Sequence, residues 1–177
     1  MIGCGKSTVG QLLARKLGYS FLDTNQIIER ASKKKISEII QENGEEKLRE
    51  IESSVLNEVQ SYVCCVVATG GGVVLRNSNW AVLHNGIVVF LDVAVSILFR
   101  RLQRDDNNEL LRFPSVEQIE DIRRARLPFY LQADIHISFE ENMNQDSNPD
   151  AIVSEVTTQL IQFLRENKKS EDDMRFV

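Results

Sequence analysis

A hexapeptide near the start of the chain constrains the fold more than any other segment. It consists of Gly3, Cys4, Gly5, Lys6, Ser7 and Thr8. This run matches the second half of the GxxxxGK[ST] signature of phosphate-binding loops. In such loops the backbone N–H groups and the following helix N-terminus bind phosphate oxygens, the lysine reaches the outer phosphates, and the hydroxyl holds magnesium. The sequence therefore predicts a nucleotide site in which Lys6 and Ser7 take these roles.

The signature is incomplete on its N-terminal side. Counting back from Gly5, its first glycine would fall one position before Met1, and the strand that normally leads into the loop would lie further upstream. That strand is central in P-loop folds. We therefore expect this chain to lack the first strand of its sheet and to be N-terminally truncated.

Helices and short apolar runs alternate along the rest of the chain. Apolar side chains recur at helical spacing over residues 7–17. Strand-like runs follow at residues 19–22, 63–68, 87–91 and 135–139. The second and third of these runs are continuously apolar, which is typical of strands in a parallel sheet that helices cover on both faces. The predicted fold class is therefore α/β with three layers.

Further helix signals fill the remaining segments. Ser115 and Gln118 have capping-box spacing at the start of a helix that we expect to end near Arg126. Pro149 after Asn148 is typical of the start of a closing helix. Other helical patterns occupy residues 26–32, 37–43, 45–61 and 96–103. The break between the second and third of these patterns falls at a glycine, residue 44.

Two segments are predicted to be mobile or disordered. Residues 104–114 are polar and are expected to form a mobile loop, and residues 167–177 are expected to form a charged, disordered tail. No linker or internal repeat divides the chain. At 177 residues it is expected to form one domain, over residues 1–166, because single cores usually run to about 100–200 residues.

Composition excludes several function classes. The net charge is −5, which disfavours contact with a nucleic-acid backbone, and no apolar run approaches the roughly 20 residues needed to span a bilayer. The cysteines, at positions 4, 64 and 65, show neither disulfide nor zinc spacing. His84 and His136 stand alone. We therefore expect neither nucleic acid nor a membrane as a partner, and no histidine- or cysteine-based metal site.

Several landmarks occur in a fixed order along the chain. They are the hexapeptide GCGKST, Leu-Asp-Thr-Asn at residues 22–25, Gly-Glu with Leu-Arg-Glu-Ile-Glu within residues 44–52, Thr-Gly-Gly-Gly at residues 69–72, and an arginine and tyrosine segment at residues 123–130. Each is weak alone, but the ordered set resembles shikimate kinase over residues 1–166. The resemblance implies a P-loop NTPase-type fold like that of nucleoside monophosphate kinases, with ATP and Mg²⁺ as cofactors.

On the nucleotide side, the resemblance implies that the hexapeptide, residues 3–8, binds phosphates. It also implies that Arg101 contacts the adenine, that Lys6 is catalytic, and that Ser7 and Asp23 hold magnesium, Asp23 acting through water. An alternative for Asp23 is a cap at the end of a strand.

On the acceptor side, the resemblance implies that Arg49 and Arg126 clamp the carboxylate of shikimate, which suits planar guanidinium groups. The glycines Gly70, Gly71 and Gly72 would let the backbone approach the shikimate ring. Solvated helix positions remain alternatives for both arginines, and an ordinary tight turn remains one for the glycines.

Two positions depart from the family pattern. The second carboxylate of the acidic pair, which binds shikimate hydroxyls and accepts or orients the attacking proton, is replaced by Asn25. A carboxamide cannot take a proton near neutral pH, and general-base catalysis is worth about 10²–10⁴-fold. The lid arginine is replaced by Asn108, and such arginines are worth about 10³–10⁵-fold.

Three functional hypotheses follow. The first is a shikimate kinase-like protein that has lost kinase activity, as in plant plastid paralogues associated with chloroplast development, which would make shikimate binding doubtful and place the protein in the plastid. The alternative is an active ATP-dependent kinase that phosphorylates the 3-hydroxyl of shikimate. A third is an interaction module that binds ATP without transfer.

Overall fold

The computed structural model describes residues 1–104, 115–139 and 148–174, with residues 168–174 described by their backbone alone. Its helices are α1 (Lys6–Leu17), α2 (Thr24–Ser32), α3 (Ile36–Val59), α4 (Asn77–Leu83), α5 (Val95–Gln103), α6 (Val116–Tyr130) and α7 (Pro149–Met174). Its strands are β1 (Ser20–Asp23), β2 (Cys65–Ala68), β3 (Val89–Val93) and β4 (Ile135–Phe139). A short 3₁₀ helix, Val73–Leu75, follows the glycine triplet.

The strands pair in parallel, as the alternating pattern predicted. β1 pairs with β2, from Ser20 opposite Cys65 onward, and β3 pairs with β4, from Val89 opposite Ile135 onward. Within the described residues these pairs form two separate two-stranded sheets. The prediction of parallel strands is confirmed, while the strands form two ladders instead of one.

Helices on one side join the two sheets into a single body. α1 packs against β1, β2 and α7, and α7 also packs against β4. Val9 and Leu13 of α1, Val153 and Val156 of α7, and Ile135 and Ile137 of β4 belong to one buried cluster. Apolar side chains shared by α1 and α7 therefore fix the position of β1–β2 relative to β3–β4.

α3 breaks at the glycine where the sequence predicted two helices. Gly44 has φ 81° and ψ 166° between two helical stretches, a conformation that only glycine adopts readily. On its C-terminal side, Leu48, Val55 and Leu56 are buried. The break lets the second stretch of α3 take a direction different from that of the first and bury its apolar side chains in the core.

The segment after the glycine triplet folds into the 3₁₀ helix and α4, which the sequence analysis did not predict. Asn79 donates from Nδ2 to the carbonyl of Val73 at 2.8 Å, and Trp80 donates from Nε1 to the carbonyl of Val74 at 3.1 Å. Trp80 is buried, and its ring centroid lies 5.3 Å from that of His84. These side-chain hydrogen bonds to the backbone stabilise the short helices. Hydrophobic periodicity does not reveal such bonds, which is why the helices were not predicted.

Several elements extend beyond their predicted ends, the largest differences being in β3, α6 and α7. β3 continues through Asp92, whose carboxylate binds Arg123, to Val93. α6 begins as predicted, with the Ser115 hydroxyl accepting from the backbone of Gln118, but it continues past Pro128 to Tyr130. α7 continues through Met174, past residue 167 where we predicted the disordered tail to begin.

Part of the predicted mobile loop, residues 105–114 with Asn108, lies outside the described residues, as do residues 175–177 of the predicted tail. Among the helices that the structure describes, none combines the length and the apolar character needed to cross a membrane.

Replacing Gly44 with alanine should lower the free energy of unfolding by about 1–3 kcal/mol, because the backbone there is unfavourable for any residue with a Cβ. Nothing lies within 4 Å of the added Cβ, so the loss would come from the backbone alone. Urea denaturation measures it. Gly86→Ala is the matched control, since Gly86 has no positive φ and only one atom at 4.0 Å. An equal loss in both variants would contradict the backbone explanation.

Candidate functional site

One cavity of about 680 Å³ lies beside the ends of β1 and β2. Its volume falls in the range of small-molecule sites, about 300–1,000 Å³. All predicted site residues in the described part of the chain line it. They are Gly3, Cys4, Gly5, Lys6, Ser7, Thr8, Asp23, Asn25, Arg49, Gly70, Gly71, Gly72, Arg101 and Arg126. Side chains from distant parts of the sequence therefore meet in one space.

The phosphate-binding loop leads directly into α1. Gly5 precedes the helix with φ 93°, and Gly3 has φ 69°, so the loop uses left-handed conformations that favour glycine. The ammonium group of Lys6 donates to the carbonyl of Met1 at 2.5 Å. No side chain caps α1, and the residues of its first turn line the cavity, so this helix start is suited to an anion.

Asp23 connects three elements at the cavity wall. Its Oδ2 accepts from the hydroxyl of Ser7 at 2.5 Å, while its Oδ1 accepts from the backbone N–H groups of Asn25 and Gln26 at 3.0 and 3.3 Å. The carboxylate thus caps α2, which was the alternative considered from the sequence, and also faces the hydroxyl predicted to hold magnesium. The two roles use different oxygen atoms and are compatible.

Arg101 reaches the phosphate-binding loop from α5. Its Nη1 donates to the carbonyl of Gly3 at 3.3 Å and lies beside Gly5. A guanidinium group in this position covers the loop from the side of α5. The site also includes Pro149 and Ile152 of α7, which the sequence analysis did not select.

Arg49 is held by a buried carboxylate. Its Nη1 donates to Oε2 of Glu52 at 2.5 Å, and their side chains are 11% and 4% exposed. The pair is one turn apart on α3. Pairing satisfies the charge of Glu52, which would otherwise be costly to bury. Sequence reasoning missed Glu52, although the i, i+3 spacing from Arg49 is a signal that could have identified it.

Two of the three glycines in the triplet leave no room for a side chain. A Cβ at Gly72 would lie 1.8 Å from Nη1 of Arg49, and one at Gly70 would lie 2.2 Å from Oε1 of Glu52. Gly71 has ordinary contacts, the nearest atoms being 3.6 Å away. Neither Gly70 nor Gly72 has a positive φ. Close packing against the Arg49–Glu52 pair therefore explains the glycines better than turn geometry does.

Arg126 and Tyr130 lie one turn apart on α6, and Arg126 lines the cavity. The hydroxyl of Tyr130 donates to the carbonyl of Gly71 at 2.6 Å, and the positive charge of Arg126 acts on the same hydroxyl. Burial raises the pKa of Tyr130, an effect that the charge of Arg126 partly opposes. The tyrosine is therefore neutral near pH 7 and keeps its proton for the glycine carbonyl.

Cys4 occupies the interior of the phosphate-binding loop. Its thiol is buried and donates to the carbonyl of Met1 at 3.1 Å, and Lys6 lies 3.6 Å from the sulfur. Burial acts to raise the pKa of Cys4, but the neighbouring positive charges of Lys6 and the N-terminus outweigh it, so the pKa is lowered.

Asn25 lines the cavity next to Gly70, with its Oδ1 3.0 Å from where a Cβ of Gly70 would stand. It lies where the resemblance placed the residue that handles the acceptor hydroxyl. Asn108, the other departure, falls outside the described residues.

The chain is similar to known proteins over nearly its whole length. The family model for shikimate kinase matches residues 2–165. The chain is 46% identical to a shikimate kinase of Trichormus variabilis over 157 residues, 88% of this chain and 84% of the relative. It is 44% identical to one of a Nostoc species over 167 residues, 94% and 90% of the two chains.

Solved structures show the same likeness. A shikimate kinase from Acinetobacter baumannii in complex with shikimate has a TM-score of 0.80 at 32% identity, covering 91% of this chain and 89% of that one. A shikimate kinase from Bacteroides thetaiotaomicron has a TM-score of 0.78 at 31% identity, covering 90% and 93%. The predicted P-loop kinase fold is confirmed.

Gly72→Ala should displace the guanidinium group of Arg49 and separate it from Glu52, because the new methyl group would overlap Nη1. A crystal structure of the variant would show the displacement directly. Gly71→Ala is the matched control and should leave Arg49 in place, since a Cβ there meets only ordinary contacts. An undisturbed Arg49–Glu52 pair in Gly72→Ala would contradict the packing explanation of the triplet.

Proposed function

This chain belongs to the shikimate kinase family, and from that premise we propose that it transfers the γ-phosphoryl group of ATP to the 3-hydroxyl of shikimate. The observation that carries the proposal is the single cavity shared by the phosphate-binding loop and by both arginines of the predicted carboxylate clamp. A donor and an acceptor bound there would be held side by side, which lowers the barrier by removing orientational freedom.

The donor side would bind the nucleotide through backbone N–H groups and through the positive charge of Lys6. Backbone N–H groups of residues 3–8 and the start of α1 would bind the phosphates. Lys6 would exchange its contact with the Met1 carbonyl for the outer phosphates, where its charge offsets the charge of the transferring group. Arg101, Pro149 and Ile152 line the same cavity and would contact the adenine.

The residues present fit a magnesium ion bound together with ATP. Magnesium usually takes one or two protein ligands and fills the remaining positions with water and substrate phosphates. Ser7 supplies a hydroxyl and Asp23 a carboxylate 2.5 Å away from it, at the entrance to the phosphate-binding loop. The bound ion would neutralise charge on the β- and γ-phosphates.

The acceptor side would recognise a carboxylate. Arg49 is held by Glu52, so its guanidinium group is oriented before a ligand arrives, and Arg126 lines the same cavity. Two guanidinium groups suit one carboxylate, because each can bind both of its oxygens. The relative from Acinetobacter baumannii, which was solved with shikimate, supports this choice of acceptor.

Asn25 predicts slow turnover. Its carboxamide can position a hydroxyl but cannot accept the proton, which is worth about 10²–10⁴-fold in rate. The nearby carboxylates of Asp23 and Glu52 already bind Ser7 and Arg49. Phosphoryl transfer through a loose transition state depends mainly on positioning and electrostatics, so the reaction remains feasible with a weak base.

A second candidate is loss of the transfer step, and the same Asn25 together with Asn108 favours it. In that case the protein would be an inactive family member, with the plastid location and the role in chloroplast development of the plant paralogues that it resembles. An interaction module that binds ATP without transfer is a variant of this candidate.

Release of ADP that depends on shikimate tests the proposal. We expect measurable turnover in the unmodified protein and an increase of about 10²–10⁴-fold in Asn25→Asp, since the carboxylate restores a general base. Lys6→Met is the control and should abolish release from both backgrounds. ATP binding with no shikimate-dependent ADP would overturn the proposal in favour of the second candidate.

Chelation of magnesium should also abolish turnover, and Ser7→Ala should raise the magnesium concentration required for half-maximal rate, because the hydroxyl is the protein ligand next to Asp23. Titration of Mg²⁺ at fixed ATP measures this. Thr8→Ala, one position along the same helix, is the comparison. Equal magnesium requirements in Ser7→Ala and the unmodified protein would contradict the assignment.

A further inference from the structure

We propose that Asn25 makes the cavity selective for the phosphorylated acid over the free hydroxy acid, so that the protein binds shikimate 3-phosphate more tightly than shikimate. The inference rests on the proposed function and deepens it, because it names the form of the acceptor that the cavity favours. It concerns the negative charge that a carboxamide lacks, which is a separate matter from the proton that a carboxamide cannot accept.

Asn25 lies between the donor and acceptor sides of the cavity. On the donor side, its backbone N–H donates to Oδ1 of Asp23 at 3.0 Å, and the other oxygen of Asp23 accepts from Ser7 at 2.5 Å. On the acceptor side, Oδ1 of Asn25 and Oε1 of Glu52 both lie within 3.0 Å of the point where a Cβ of Gly70 would stand. A phosphoryl group that leaves the phosphate-binding loop for the acceptor side therefore passes next to the Asn25 side chain.

The charged side chains around the cavity favour anions. The whole chain has a net charge of −5, yet among the described residues the charged lining consists of four basic side chains and two acidic ones. They are Lys6, Arg49, Arg101, Arg126, Asp23 and Glu52. A carboxylate at position 25 would reduce this excess of positive charge, whereas the carboxamide of Asn25 leaves it in place.

Both acidic side chains of this lining already have partners within the protein. Asp23 accepts from Ser7 and from two backbone N–H groups, and Glu52 accepts from Nη1 of Arg49 at 2.5 Å. Their negative charge is therefore offset by donors. The side chain at position 25 then decides whether a phosphate bound between the two sides meets a further negative charge.

The two forms of the acceptor differ in how they respond to such a charge. A phosphate monoester carries about two negative charges near neutral pH, while the hydroxyl that it replaces carries none. A carboxylate a few ångströms from the phosphate repels it, and the repulsion is stronger in a partly buried site than in water. A carboxamide is uncharged, and its NH₂ group can donate to phosphate oxygens. Asn25 therefore stabilises the phosphorylated acid, so the residue that slows transfer also retains the product.

Calorimetric titration with shikimate and with shikimate 3-phosphate tests the proposal. Nucleotide is left out and a chelator is added, so that no magnesium ion bridges a carboxylate and the phosphate, and the buffer is at about pH 8, where an aspartate carboxyl is ionised. We expect the unmodified protein to bind the phosphate ester at least about tenfold more tightly than the free acid, and Asn25→Asp to reduce this preference about 10- to 100-fold. The reduction should lie mainly in a higher dissociation constant for the phosphate ester.

Two further variants separate the charge from other effects. Asn25→Ser removes the carboxamide without adding charge and should keep the preference to within about threefold. Asn57→Asp is the matched control, because Asn57 is an exposed residue of α3 that does not line the cavity. It adds the same charge to the protein and should leave the preference unchanged.

Several results would overturn the proposal. They are an unmodified protein without preference for the phosphate ester, an unchanged preference in Asn25→Asp, and an equal reduction in Asn25→Ser or in Asn57→Asp. The proposed function is judged separately, by shikimate-dependent release of ADP. A protein that shows the preference without turnover supports this inference while the proposed function fails, and turnover without the preference does the reverse.

Discussion

The geometry of the nucleotide side depends on one buried carboxylate. Asp23 ends β1, caps α2 through one oxygen and binds the hydroxyl of Ser7 at the start of α1 through the other. A strand end and two helix starts are therefore fixed to one another by a single side chain. The phosphate-binding loop directly precedes α1, so its place in the cavity follows from the same contact. Charge-assisted hydrogen bonds of this kind are stronger than neutral ones.

The sequence was sufficient for the parts of the site whose residues are close in the chain. The hexapeptide predicted the loop, and the resemblance assigned Asp23 to the same nucleotide site, where both line one cavity. The break at Gly44 was also predictable, because glycine interrupts a helical pattern for a reason that acts locally. In these cases the backbone conformation depends on residues that are neighbours in the chain, so sequence patterns are enough to predict it.

Other features depend on contacts between distant segments and could not be predicted in this way. The glycine triplet was expected to serve a ligand or a turn, and the structure adds that Gly70 and Gly72 make room for Arg49 and Glu52 of α3. α6 was expected to end near Arg126, but it continues past Pro128 because Tyr130 packs on Phe90. Tertiary packing there outweighs a local preference. Asn25 replaces the carboxylate of the family pattern. The fold is shared with the relatives, so the effect of this replacement on activity has to be judged from the chemistry of the side chain.

The chain contains a single tryptophan, and its placement has a practical consequence. Trp80 is buried, its indole N–H is held by Val74 just beyond the glycine triplet, and it shares a small cavity wall with Gly70, Gly71 and Lys6. An indole in a rigid apolar setting emits at short wavelength and responds to nearby rearrangement. The molecule thus contains an intrinsic fluorophore beside the glycine triplet and Lys6, whose emission would report a rearrangement there without a chemical label.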